Sequence, residues 1–220
     1  IVNLTLIIVS VLLLTFFVRY ELNQREPLLQ LNIFKDSTYR NSIAIASVQA
    51  VGLFSGIFLI PLLVQTVYGY GPVITGLVFL PSALFTGIFM TLAGRILDRK
   101  GPQGVVTVGL LITGVSTVLL GMLSLDSPLW LIFVFMMFRG IGLGLSNMPA
   151  TTAGLNAIPD RLVSQGSAIN NVMRRVSSSL AIVIASIYFE VRRAHLTAQG
   201  LASESSGLQA INESFLFLGF

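Results

Sequence analysis

Residues 135–149 read FMMFRGIGLGLSNMP, one arginine, Arg139, set among apolar residues and glycines with no acid close to it in sequence. The apolar run extends from Leu129 to Thr152. That is long enough to cross a bilayer, since a spanning helix needs about 20 mostly apolar residues at about 1.5 Å each. A guanidinium at mid-membrane depth costs about 3 kcal/mol or more, so backbone carbonyls, polar side chains or a water-filled cavity must hold it. Whatever holds Arg139 bears on what the protein does.

The composition agrees with a membrane solvent. Hydrophobic residues make up 54% of the chain and charged residues 10%, against about 25% charged in soluble domains. Mean hydropathy is +0.87. The formal charge of +4 is therefore a question of sidedness and not a sign of nucleic-acid binding. There are no cysteines and one histidine, His195, expected in an outer loop. Neither a metal site nor a nucleophile–base set can be assembled from these residues, so no enzyme activity and no cofactor are expected.

Five segments qualify as spans: Ile1–Val18, Ile43–Thr66, Val73–Ala93, Val105–Leu123 and Leu129–Thr152. A sixth, Gly166–Phe189, is interrupted by Asn170, Asn171, Arg174 and Arg175, and a seventh begins at Ser214. No segment alternates with period two, which argues against a barrel; the expected fold is an all-α integral membrane bundle. Ile1–Val18 lacks a basic leader and a small-residue cleavage site and reads as a span. The chain is expected to be a piece of a longer membrane protein.

Ten of the 13 Lys and Arg fall on one side: Arg19, Arg25, Lys35, Arg40, Arg95, Arg99, Lys100 and Arg161, with Arg174 and Arg175 near the same face. Arg192 and Arg193 fall on the other. This bias places the first group in the cytoplasm. Between charged flanks, PLLQLNIF (27–34) is too short to span and fits either an amphipathic surface segment or a plain linker. Gly52–Gly56 and Gly140–Gly144 are small-xxx-small pairs that permit close helix approach.

Between two spans, GRILDRKGPQ (94–103) combines glycines, an acid and bases in a tight cytoplasmic loop. Its order, G-x-x-x-D-R-x-G, resembles the loop signature of the major facilitator superfamily, with Gly94, Asp98, Arg99 and Gly101 matching. Pro102 and Gln103 replace the trailing basic pair. The position of Arg139 and its following glycines, two spans after the loop begins, is similar to a second family signature. PLLQLNIF, QTVYGYGPVITGLVFLP (65–81) and TAGLNAIPDRLVSQGSAINNVMRRVSSSLA (152–181) further resemble fourteen-helix drug:proton antiporters of the EmrB/QacA type.

The resemblance implies three regions: an extra central helix over 1–18, a cytoplasmic linker over 19–42, and a C-terminal six-helix transporter half over 43–220. It also implies multidrug efflux, exporting lipophilic or cationic compounds in exchange for protons across a bacterial plasma membrane. A nutrient or metabolite transporter of the same fold is the first alternative, and a non-transporting membrane subunit the second. The expected partners are the small-molecule substrate, protons, the lipid bilayer and the other half of the transporter.

All nine acids fall outside mid-membrane: Glu21, Glu26, Asp36, Asp98 and Asp160 inside, Asp126, Glu190, Glu204 and Glu213 outside. A proton-coupling carboxylate is therefore expected in the other half. The resemblance gives residues 94–101 (Gly94, Arg95, Asp98, Arg99, Gly101) the role of a conformational latch, Asp98 capping a helix of that half. The plain alternative is surface pairing of Asp98 with Arg95 or Arg99. Two readings of Arg139 stay open, a structural brace and a cavity-facing charge. The polar and soft residues of the spans, Gln49, Met90, Met136, Met137, Asn147, Asn171 and Arg174, are candidates for a cavity.

Overall fold

The computed structural model describes residues 31–218 continuously, together with isolated positions between 5 and 20. Most of the expected first span, residues 21–30 and the last two residues lie outside the described residues.

Every described element is helical. A short 3-10 turn (Leu31–Lys35) leads into α1 (Ser37–Leu62). Asp36 caps α1, its carboxylate accepting from the Tyr39 amide at 2.8 Å, which satisfies one of the free N–H groups at the helix start. Just past Pro61, which lacks an N–H to donate, α1 widens into a π turn (Leu63–Val67). Next come α2 (Pro72–Lys100) and α3 (Pro102–Leu120), each with proline in its first turn, where the missing N–H costs nothing. Pro128 precedes α4 (Leu129–Asn156). Pro159 and a 3-10 turn (Asp160–Leu162) then start the 36-residue α5 (Val163–Ala198), and α6 (Ser203–Leu218) follows.

Five of these helices are long and apolar enough to cross a membrane. The segment 94–103 differs from the tight loop expected of it. Nothing between Gly94 and Lys100 stops a helix, so α2 runs through the motif and only Gly101 breaks it, at φ +78°, in the left-handed region that glycine tolerates. Gly94, Arg95, Asp98 and Arg99 thus ride on the last turns of α2. His195 lies not in a loop but in the last turn of α5. Arg174 and Arg175 stand 11 and 12 residues beyond the start of α5, about 17 Å along its axis.

α4 is the hub. α2 and α3 pack on it from opposite sides, and α1 packs against α4 and α5. Glycine spacing makes this possible. On one face, a Cβ at Gly140 would fall 2.8 Å from the Ser82 Cα, and one at Gly144 would fall 2.7 Å from the Thr86 carbonyl. On the opposite face, a Cβ at Gly142 would sit 2.6 Å from the Gly109 carbonyl of α3, and one at Gly109 would sit 2.7 Å from the Ser146 Cβ. Neighbouring backbones therefore touch α4 on both sides, and Thr86 donates to the Gly140 carbonyl at 3.1 Å. In lipid, such close packing and interhelical hydrogen bonds take the place of a hydrophobic drive between helices.

At the end of the bundle where α1 and α5 begin, Tyr39 donates to the Gly166 carbonyl at 2.8 Å, and Ser42 donates to Ala150. Ile33 is buried against Tyr39, Ile158 and Leu162, so the part of PLLQLNIF that is described is an anchored segment. Near the other end of α5, Arg192 pairs with Glu213 at 2.5 Å, tying α5 to α6.

Gly142→Ala is expected to destabilise the bundle by about 1–3 kcal/mol, because the methyl group has nowhere to go. Gly114→Ala in α3 meets nothing within 4 Å, so it is expected to be neutral or to stabilise by about 0.5–1 kcal/mol through helix propensity. The thermal midpoints of the two purified variants check this.

Candidate functional site

Arg139 lies ten residues into α4, about 15 Å from the outer end of that helix. It is 2% exposed. One guanidinium nitrogen, Nη2, donates to the Gly52 carbonyl of α1. The guanidinium lies over Gly56, where an added Cβ would fall 2.6 Å from its Cζ. The Gly52–Gly56 pair is therefore a niche for a side chain and not a helix-packing seam. Gly52 lends its carbonyl and Gly56 its missing methyl. The other terminal nitrogen, Nη1, has no partner among the described residues.

Beside Arg139 opens a cleft of about 280 Å³ between α1, α2 and α4. Ile57, Phe79 and Leu143 supply apolar walls, and Thr86, Arg139 and Asn147 the polar points. Asn147 follows Arg139 by two turns on α4, and its Oδ1 accepts from Arg174 Nη1 of α5 at 2.8 Å. Because a guanidinium can only donate, this bond fixes the amide with its NH₂ turned away from Arg174. Thr86 has spent its proton on Gly140. The cleft lining thus offers an acceptor oxygen at Thr86 and N–H groups at Arg139 and Asn147.

Of the residues singled out from sequence, Met136, Arg139 and Asn147 meet at this cleft, and Arg174 joins through Asn147. The others do not. Gln49 is buried one turn before Gly52, with both amide atoms unpartnered among the described residues. Met90 is exposed on α2, and Met137 is half-buried off the cleft. Asn171 is exposed, whereas its neighbour Asn170 is buried with Oδ1 unpartnered. Asp98 is exposed at a groove with Thr38, Pro102 and Asn156, and it forms no ion pair with Arg95 or Arg99.

Sequence reasoning missed Thr86, and it missed the function of Gly56. The signal for Gly56 was present as a Gly-xxx-Gly pair, but nothing in sequence told a guanidinium niche from a helix contact.

The exposed surface of α5 is divided. Ser164, Asn171, Arg175 and Ser179 fall within about 80° of one another around the helix, at about 100° per residue. Met173, Leu180, Ile184, Ile187 and Val191 occupy roughly the opposite side. Only the second side suits lipid.

Gly56→Ala is expected to push the guanidinium off Gly52 and lower stability by about 1–3 kcal/mol. Gly52→Ala meets nothing within 4 Å and is expected to leave stability near wild type. Paired thermal melts in detergent separate the two positions.

Comparison with known proteins accords with this architecture. The Major Facilitator Superfamily profile matches residues 1–182. An uncharacterized MFS-type transporter, YhcA of Bacillus subtilis, is 33% identical over 186 residues, covering 84% of this chain and 35% of the relative. The lincomycin resistance protein LmrB of Listeria monocytogenes is 29% identical over 216 residues, covering 96% and 46%. A multidrug resistance protein B homolog of Mycobacterium tuberculosis is 26% identical over 183 residues, covering 82% and 34%. The chain spans between about a third and a half of the length of these relatives. With its apolar helices, its glycine-packed hub and a profile match over most of its length, this chain belongs to the major facilitator superfamily of multi-pass membrane transporters.

Proposed function

We propose that the protein is a secondary active exporter of lipophilic compounds, driven by proton exchange and working by alternating access in a bacterial plasma membrane. The observation that carries this reading is the cleft beside Arg139. It is a mostly apolar cavity with a few oriented polar points, the usual make-up of a small-molecule site, and it lies at mid-depth in a bundle otherwise built for lipid. The names of two relatives, a lincomycin resistance protein and a multidrug resistance protein homolog, support export of drug-like compounds. In this reading the described helices form one wall of the transport path, and the polar side of α5 faces the opposing wall. The proton-binding carboxylate belongs to that opposing wall, since the apolar segments read as spans carry no acid at mid-length.

Asp98 is the latch of this mechanism. It stands exposed near the C-terminal end of α2, with no ion pair among the described residues, and in this reading it meets a partner that comes and goes with the transport cycle. A carboxylate is stabilised at a helix N-terminus by free amides and the helix dipole, so an opposing helix start is the partner expected. Surface pairing with Arg95 or Arg99, worth little in any case, would leave it less available.

The test uses the protein expressed from its full gene in inverted membrane vesicles, with fluorescent lipophilic compounds of either charge sign. Uptake of at least one of them that disappears when the proton gradient is collapsed is the expected result. A well-expressed protein that moves none of them, or ignores the gradient, rejects the exporter reading and favours a nutrient transporter. In the same vesicles Asp98→Asn is expected to slow turnover several-fold while leaving substrate binding within about twofold, because the latch acts on the conformational step and not on the site. Unchanged turnover would remove the latch.

A further inference from the structure

The cleft beside Arg139 is lined by a cationic guanidinium, an amide fixed as a donor and the acceptor oxygen of Thr86. Arg139 is 2% exposed, yet Nη1 has no partner among the described residues. The side chain cannot swing to find one, because Nη2 is tied to Gly52 and the guanidinium is seated over Gly56. A buried cationic donor left without an acceptor is costly. Two turns along α4, Asn147 accepts from Arg174 through its oxygen and keeps the two N–H donors of its NH₂ group to offer. Arg174 brings a second positive charge to the same end, using one of its five N–H donors in that bond.

No acid of the described helices balances these charges. Asp98 and Asp160 stand at cytoplasmic helix ends, and Glu190 is 16 residues from Arg174 on α5, about 24 Å along the axis.

We infer that this cleft binds an apolar ligand through an anionic oxygen group, a carboxylate or its equivalent, drawn to the polar end lined by Arg139 and Asn147, and that it disfavours cationic amphiphiles of the same size. The ligand's acid group accepts from the Asn147 amide and meets a positive field from Arg139 and Arg174, strengthened by the low dielectric around it. Its apolar body lies along Leu53, Ile57, Phe79 and Leu143. The volume of about 280 Å³ accepts a chain or small ring system, near the lower end of small-molecule sites. A cation placed there would face Arg139 without a counter-charge from these helices. The inference narrows the exporter reading to a substrate class and rests on that reading for movement across the membrane, but not for binding.

The test compares three probes that share one fluorophore and one chain: 11-(dansylamino)undecanoate, its methyl ester, and the corresponding 11-carbon amine. Each is titrated at neutral pH into the full-length protein in nanodiscs. The acid is expected to bind about tenfold tighter than the ester, the gain of one charge-assisted hydrogen-bonded pair, with the amine weakest. Arg139→Gln is expected to bring the acid-to-ester ratio close to one while the ester's affinity stays within about twofold. Asn147→Asp, which keeps the side-chain shape and places a carboxylate in the cleft, is expected to weaken acid binding selectively.

Equal binding of acid and ester by the wild-type protein would overturn the inference, because Arg139 would then be satisfied by a carboxylate of the protein itself. A preference for the amine would overturn it as well, as would a folded Arg139→Gln that keeps the acid preference. Should Arg139→Gln fail to fold, the wild-type ratio and Asn147→Asp decide alone.

Proton-driven movement of the same probes in proteoliposomes is measured alongside. Acid-selective binding without such movement rejects the exporter reading and leaves this inference standing. Proton-driven movement of the amine without acid preference does the reverse.

Discussion

The structure depends on how closely two backbones approach α4. Gly140 and Gly144 admit α2 on one side, and Gly142 admits α3 on the other. A single methyl group at any of the three would press on a neighbouring chain. In water a helix bundle gathers by hiding apolar surface, but lipid removes that incentive. What remains is contact, and contact between helices is densest where side chains are absent. The alternation of glycine with larger residues after Arg139 therefore fixes which helices α4 can hold and at what distance.

The same helix carries the charge that the bundle must accommodate. Arg139 is held through α1, where Gly52 contributes a carbonyl and Gly56 a space. The arrangement is half a brace and half a site. One nitrogen is committed to the Gly52 carbonyl, the other has no partner among the described residues, and the residue lines a cleft. The two readings of this residue that sequence left open are thus compatible, because a guanidinium has enough donors to serve both. Holding one end rigidly is also what gives the free end a defined direction, and a preorganised donor binds at lower entropic cost than one that must be ordered on contact.

Membrane class, helical architecture and approximate spans were legible in the sequence, because bilayer thickness and the cost of exposed backbone in lipid act on composition and length directly. The family resemblance was legible too, through Gly94, Asp98, Arg99 and Gly101. Boundaries were less so. The motif at 94–103 was read as a loop because glycines and charges look like one, yet only Gly101 followed by Pro102 breaks the helix. Arg174 was read as interrupting a span that opens at Gly166, and the helix that carries it begins at Val163, three turns before it.

Sequence determined that a charge would be buried near the middle of α4, since Arg139 lies in an apolar run long enough to span. It could not say what would hold that charge, because the partner lies 87 residues away on α1 and is a backbone carbonyl, which every residue possesses. Only the tertiary structure separated the two glycine pairs, one a seam between helices and the other a seat for a guanidinium. Only the tertiary structure brought Asn147 and Arg174 together across α4 and α5. The reason is common to both cases. Periodicity and hydropathy report which face of a helix is apolar, whereas hydrogen bonds between helices depend on rotation and depth, which packing alone fixes.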